Sequence, residues 1–402
     1  MLLAHGNVPE ALQSFLRDGL AISEHLPEAD AANADYQYSL AAAHNKNGEV
    51  FLAQGNLSEA LQCFRDSLAT HERLAEADPA NTDCQRGLAA AHDKIGDVLL
   101  ANGNVPEALQ SFRDSLSIRD RLARADPGNM GQQRDLAASY HRVGEMLVAR
   151  DEVSKAMIFF RDGLAISVHL AKADPANAEW QRNLAASYDK IGDLLVAQND
   201  LAEALTSFRA SLAIITRLSQ TDPTNAERQQ SLSVLYGKLG NVLIAQGNVT
   251  EALKFCGDGL AIAERLAKAK PHNAEWQREL STSYYNIGDV LLNHGNRAEA
   301  LKLFSHSLAI DEHLALADPS NVGRQHDLAI ANERLGRVYK DLKYMRTARL
   351  YLEKAMFILK ELDDAGRLEP QGRSSMAQLE QQLAALQATA GMTAAGTSGG
   401  KG

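Results

Sequence analysis

Cysteine is nearly missing from this 402-residue chain: Cys63, Cys84 and Cys256 stand far apart and odd in number. That excludes a disulfide framework and the paired ligand spacing of a zinc site, and leaves buried reduced thiols as the expectation. Aromatics are only 5% of the residues, and tryptophan occurs twice. Basic residues number 41 against 51 acidic ones, a net charge of −10. Nucleic acid is disfavoured as a partner, because phosphate binding draws on clustered Lys and Arg that are not in excess here. No apolar run reaches the ~20 residues that span a bilayer. The first residues also lack a basic segment leading into an apolar one. The expectation is a cytoplasmic protein without membrane contact.

What is present is a period. Glycine recurs every 48 residues, at Gly48, Gly96, Gly144, Gly192, Gly240, Gly288 and Gly336, and proline recurs in the same register at Pro79, Pro127, Pro175, Pro223, Pro271 and Pro319. Seven units follow, over 33–78, 81–126, 129–174, 177–222, 225–270, 273–318 and 321–365. In the second, Leu88, Ala91, Ile95 and Leu99 fall at three- and four-residue steps, one face of a helix A. Gly103-Asn104 ends it with a residue tolerant of positive φ. Pro106 and Glu107 suit the first turn of a helix B, whose stripe runs through Ala108, Leu109, Phe112, Leu116 and Leu122. Asp126 before Pro127 is pushed out of the α region, so helix B stops there. Each unit is an antiparallel helical hairpin.

These residues resemble the tetratricopeptide repeat. An apolar residue precedes the glycine in Ile95-Gly96, Val143-Gly144, Ile191-Gly192, Leu239-Gly240, Ile287-Gly288 and Leu335-Gly336, and Tyr140, Tyr188, Tyr236 and Tyr284 stand three residues earlier; Asn47-Gly48 departs from this. Alanine follows each glycine from Ala60 to Ala348, then Phe64, Phe112, Phe160, Phe208, Cys256, Phe304 and Leu352, then the small residues Ser67, Ser115, Gly163, Ser211, Gly259, Ser307 and Ala355. The interval exceeds the family's roughly 34 residues by about 14, shared equally between the two helices. Seven added residues are nearly two turns and return within ~20° of the starting face, so the buried stripe does not rotate. The resemblance covers nearly all of residues 1–365. It implies an all-α fold, a right-handed α-solenoid of helical hairpins, and protein–protein interaction, since the motif encodes packing and not a ligand.

At the start, residues 1–32 match only the end of a helix A and a helix B. Val8, Leu12 and Phe15 would then face a missing helix, and an extra residue, Leu16, calls for a local bulge. Either the chain is a piece of a longer product, or the uncapped helix self-associates. At the other end, Met376, Leu379, Leu383 and Leu386 mark a capping helix over 366–387, and the composition of 388–402 points to a disordered tail.

No enzyme signature emerges, and no cofactor or metal is expected. The tail Gly-Thr-Ser-Gly-Gly-Lys-Gly lacks the spacing of a phosphate loop. None of the twelve histidines forms a close ligand pair, and His25, His71 and His313 are read as surface positions. Ser67 and Ser115 are read as packing residues, since no histidine base repeats beside them.

What does repeat is charge on helix A, on the side that the resemblance places on the concave surface. One past each glycine stand Glu49, Asp97, Glu145, Asp193, Asn241, Asp289 and Arg337, and four residues earlier Asn45, Asp93, His141, Asp189, Gly237, Tyr285 and Glu333. Residues i and i+4 share a face, so Asp93 with Asp97 and Asp189 with Asp193 form candidate acidic pairs, joined by His141, Glu145, Tyr285 and Asp289 as partner-binding candidates. Lys46, Lys94, Arg142, Lys190, Lys238 and Arg334 interleave with them and offer the other reading, a lattice of surface ion pairs. Leu100, Val148, Val196, Ile244 and Leu292, with Trp180 and Trp276, are read as core. The sequence therefore predicts a non-catalytic scaffold that holds a protein or peptide with basic and apolar side chains on its concave face. The alternative is a structural spacer or oligomerisation arm of a larger signalling or effector protein.

Overall fold

The computed structural model describes residues 34–368 and 370–398. Among them the secondary structure is fifteen helices and no strand: α1 (Ala34–Ala53), α2 (Leu57–Ala77), α3 (Thr82–Ala101), α4 (Val105–Ala125), α5 (Met130–Ala149), α6 (Val153–Ala173), α7 (Ala178–Ala197), α8 (Leu201–Thr221), α9 (Ala226–Ala245), α10 (Val249–Ala269), α11 (Ala274–Asn293), α12 (Arg297–Ala317), α13 (Val322–Asp341), α14 (Met345–Asp364) and α15 (Pro370–Ser398). Odd numbers up to α13 are helix A of a unit and even numbers are helix B. The helix B expected within residues 1–32, with its bulge at Leu16 and its uncapped face, lies outside the described residues. α15 continues past residue 387 into the segment expected to be disordered; its alanines have the highest helix propensity and need no buried partner to favour that backbone.

The chain divides into two compact units, Met1–Leu194 and Leu195–Gly402, the boundary falling inside α7. In the first, α1 to α6 pack each against the next in sequence; in the second, α8 to α15 do the same. In the second unit, α11 also touches α9 and α13, the A helices on either side of it.

The turn between units has a local logic that the periodicity alone did not expose. The Asp78 carboxylate accepts from Ala80 N at 3.2 Å, and the Asn81 side chain accepts from Asp83 N and Cys84 N at 3.0 and 3.1 Å. Asn129, Asn177, Asn225, Asn273 and Asn321 cap the following A helices in the same way. Pro-x-Asn, preceded by Asp except at Lys270, thus ends one helix and starts the next, each cap contributing about 1 kcal/mol.

Inside a hairpin, the first two helices meet through a tight αL turn. Gly55, Gly103, Gly247 and Gly295 have φ between 76° and 80°, and Asn104 N donates to Leu99 O at 2.8 Å, closing the end of helix A. Asp151, Asn199 and Lys343 occupy the same turn at φ 60°, 61° and 68°. A lysine there carries the Cβ penalty of the left-handed region. Lys343→Gly is expected to raise stability by about 1 kcal/mol, read from the urea midpoint; an unchanged or lower midpoint contradicts the strain.

The glycine at the centre of helix A answers the aromatic on helix B. A Cβ on Gly48, Gly96, Gly144 or Gly288 would lie within 2.6–2.8 Å of the ring of Phe64, Phe112, Phe160 or Phe304. These four rings are almost completely buried. Where Phe gives way to Cys256 or Leu352, Gly240 and Gly336 press on the sulfur and the branched methyls instead. The small residues on helix B serve the same close approach: Ser67 donates to Ala41 O at 3.1 Å and Ser233 to Gly259 O at 3.0 Å.

Candidate functional site

The charges on the odd-numbered helices form a ladder. The carboxylate one past the glycine of one unit reaches the cation two before the glycine of the next, 45 residues on: Glu49 to Lys94 at 3.0 Å, Glu145 to Lys190 at 2.9 Å, Asp289 to Arg334 at 3.2 Å, and Asp97 to Arg142. Each rung is partly exposed and contributes about 0–1 kcal/mol. Where the carboxylate becomes Asn241, the matching position in the next unit is Asn286, so both charges are lost together. Glu145→Lys is expected to cost about 0.5–1 kcal/mol, and adding Lys190→Glu to restore most of it. Additive losses in that double-mutant cycle would remove the rung as an interaction.

The candidate acidic pairs therefore diverge where their contacts are described. Asp93 is buried and meets the Arg119 guanidinium of α4 at 2.6 Å, while Asp97 turns sideways to Arg142. Asp189 is half-buried and Asp193 exposed, and neither is without a partner. Tyr285 and Asp289 come together on Arg334, whose Nη2 donates to the Tyr285 hydroxyl at 2.6 Å and whose guanidinium lies 5.2 Å over that ring. Burial holds the Asp289 carboxyl above the usual range, opposed by Arg334. His141 and Glu145 share a cavity. The His141 Nε2 is 2.8 Å from Ser187 Oγ, its ring sits edge-on to Phe160, and burial pulls its pKa below the ordinary value.

Three residues expected in the core are not there. Leu100, Val148 and Val196 are 38%, 41% and 40% exposed, whereas Leu292 is buried. Leu100 and Val148 lie three residues past the ladder carboxylates Asp97 and Glu145, and i and i+3 share a helix face, so they turn outward with the ladder, whereas Leu292, at the same register past Asp289, is covered in a cluster with Phe304, Leu335 and Val338. His71 departs in the other direction. It is buried edge-on to Tyr38, and a Cβ on Gly87 would come within 2.3 Å of its ring. Of the cysteines, Cys84 and Cys256 are buried and Cys63 is half-buried, all three as free thiols. Burial pushes the Cys256 thiol up to about 11.

Between successive A helices of the first unit lie two cavities, about 350 Å³ between α3 and α5 and about 380 Å³ between α5 and α7. Both sit over the lengthened halves of the helices. Exposed alanines, Ala90 in one and Ala138 with Ala186 in the other, leave the room. The floors come from helix B, at a position 23 residues past each glycine: Arg119 in the first cavity and Ser167 in the second. That position is His71, Arg119, Ser167, Ile215, Ala263, Asp311 and Leu359 along the array, polar or charged in four units and aliphatic in three. His71, expected at the surface, stands at this position and is buried; the irregularity of the position against a regular background is the signal that the sequence offers.

Asp311 is the sharpest case. It is 4% exposed, accepts from Ser307 Oγ at 3.3 Å, and burial raises its carboxyl to about 6. Glu279 on α11 is likewise raised by burial, with Ser233 and Gln230 opposing the shift. No group of three His, Cys, Asp or Glu able to hold a metal occurs among the described residues, and no described helix is long and apolar enough to cross a membrane.

Paired helices in a fixed register, with a glycine on helix A set against a bulky side chain on helix B, define a helical-hairpin repeat protein. Two models of the tetratricopeptide repeat match the sequence, one over residues 40–81, 184–224 and 234–272 and the other over 281–313. The matched stretches are tetratricopeptide repeats. Among solved structures it is similar to BtubC (BKLC) from P. vanneervenii, at 18% identity and TM-score 0.50, covering 64% of this chain and 92% of that one. It is also similar to aspartyl phosphate phosphatase F from Bacillus subtilis, at 14% identity and TM-score 0.52, covering 83% and 76%. At such identities the likeness extends to the fold. No curated protein matches the sequence.

Proposed function

We propose that the chain is a non-catalytic scaffold that holds a segment of another protein against the face built by its A helices, the concave face of the family's architecture. The observation that carries this is the pair of cavities between α3, α5 and α7, which repeat at the interval of the array and open where alanines replace larger side chains. A segment laid across α3, α5 and α7 meets these two cavities one repeat apart. The ladder bears on the partner's chemistry. A basic side chain would have to displace Lys94, Arg142 or Lys190 from its carboxylate, so the acidic positions favour a basic partner less than their sequence spacing suggested. Apolar side chains meet Leu100, Val148 and the exposed alanines Ala90, Ala138 and Ala186 without that cost.

The test is to select binders from a displayed library of protein fragments with the full chain and to map the bound state by hydrogen exchange. Protection concentrated on α3, α5 and α7 is the expected result. No selected fragment, or protection confined to the even-numbered helices, would overturn the scaffold reading.

A second reading, self-association as a structural arm, rests on the outer face of α14. Leu350 and Phe357, seven residues apart on one side of that helix, are 52% and 62% exposed. Sedimentation of the full chain and of Leu350→Glu with Phe357→Glu decides it: a concentration-dependent dimer lost in the double variant supports the arm, and an invariant monomer removes it.

A further inference from the structure

The cavity between α5 and α7 has hydrogen-bonding capacity left over on an indole and an exposed carboxamide. Its rim is electrically settled: Arg134 pairs with Asp135 at 2.9 Å and approaches Glu179, and Lys190 pairs with Glu145 at 2.9 Å. Its interior is small and apolar, with Ala137, Ala138, Ala186 and Leu170. Trp180 forms part of its wall.

The equivalent tryptophan in the second unit shows what is missing. Trp276 is buried, and its indole N–H donates to Gln230 Oε1 at 3.1 Å. The residue matching Gln230 one unit before Trp180 is Arg134, which has no acceptor to offer. Trp180 is accordingly half-buried, and its indole N–H has no hydrogen-bond partner among the described residues. One turn on, Asn183 lines the same cavity with its side chain exposed and its amide likewise without a partner among them. An indole donor and a carboxamide, which both donates and accepts, match the carbonyl and N–H of an extended polypeptide.

Resting on the scaffold reading above, we infer that the α5–α7 cavity is the anchor subsite for an extended segment of a partner protein, taking one large uncharged apolar side chain against Trp180 while Asn183 and the indole N–H bind the adjoining peptide group. The occupant is uncharged at this point because every charge on the rim already has its opposite, so an ionised side chain entering the cavity would lose hydration without gaining a counter-ion. It is a polypeptide because the unspent groups are those that pair with a main chain. The site belongs to the added turns of the long repeat, since Trp180, Asn183 and Ser167 lie in the lengthened halves of their helices.

Fragments selected by the full chain provide the probes, each made as a synthetic peptide, with binding followed by Trp180 emission in a Trp276→Phe background and independently by calorimetry. Ala186→Phe, which fills the cavity from an exposed helix position, is expected to weaken binding by about tenfold or more, and Asn183→Ala by about tenfold. Replacing the peptide's apolar residue by aspartate or lysine is expected to do the same. Thr282→Phe, the identical register position in α11, serves as the control and leaves binding unchanged. Peptides that protect α3, α5 and α7 yet bind Ala186→Phe and Asn183→Ala as tightly as the parent overturn the subsite and leave the scaffold reading standing. A library that yields no binder overturns both.

Discussion

Phe160→Ala is expected to lower stability by about 3–5 kcal/mol, the range for removing a fully buried aromatic ring. The ring is 1% exposed, fills the gap over Gly144, and meets His141 edge-on at 5.4 Å. Helix A cannot collapse into the space left behind, because its neighbours on both sides hold it in register. Phe160→Leu, which the array itself uses at Leu352, should cost less than about 1.5 kcal/mol. Urea unfolding followed by circular dichroism checks both. Similar losses for the two variants would mean that the ring's shape is not what the glycine answers.

Asp311→Asn is expected to stabilise the chain at neutral pH by on the order of 2 kcal/mol and to flatten its pH dependence. The carboxyl rises from an ordinary 3.8 to about 6 in the fold, because burial disfavours its charged form more than Ser281, Ser307 and Arg278 favour it. A raised acid binds its proton more tightly folded than unfolded. Its contribution is therefore complete below about 3.8 and is lost as pH climbs through about 6. Buried His71 has the opposite sign: its folded pKa is lowered, so its contribution is present above 6.5 and is lost as pH falls below that. Thermal unfolding at pH 4, 5, 6 and 7 should show the parent losing stability relative to Asp311→Asn as pH rises from 4 to about 6, with little further change to pH 7. A constant difference would place Asp311 in solvent contact.

The sequence made the hairpin legible because its signals are local and repeated. The glycine, the alanine, the aromatic and the proline each impose a steric condition on a neighbour a fixed number of residues away, and Gly144 against Phe160 needs nothing from outside its own hairpin. The ladder was legible only in part. Carboxylates and cations were visible on helix A, but which ones meet depends on the stagger between successive helices, and the pairing of Glu49 with Lys94 rather than Lys46 alone requires that offset. The cavity floors were less legible still. Arg119 and Asp311 sit among apolar residues of helix B, and only the spacing of the two flanking A helices reveals that the same position reaches between them.

A rung asks only for opposite signs at a constant separation, whatever the particular acid or base. Excising residues 81–128 would set Glu49 opposite Arg142, an equally good match, so whole modules can be gained or lost by duplication and deletion without redesigning the junction. Copy number is then free to drift while each seam remains satisfied, and the step from Asn241 to Asn286, which carries no charge rule, is the one most tolerant of a foreign module being spliced in.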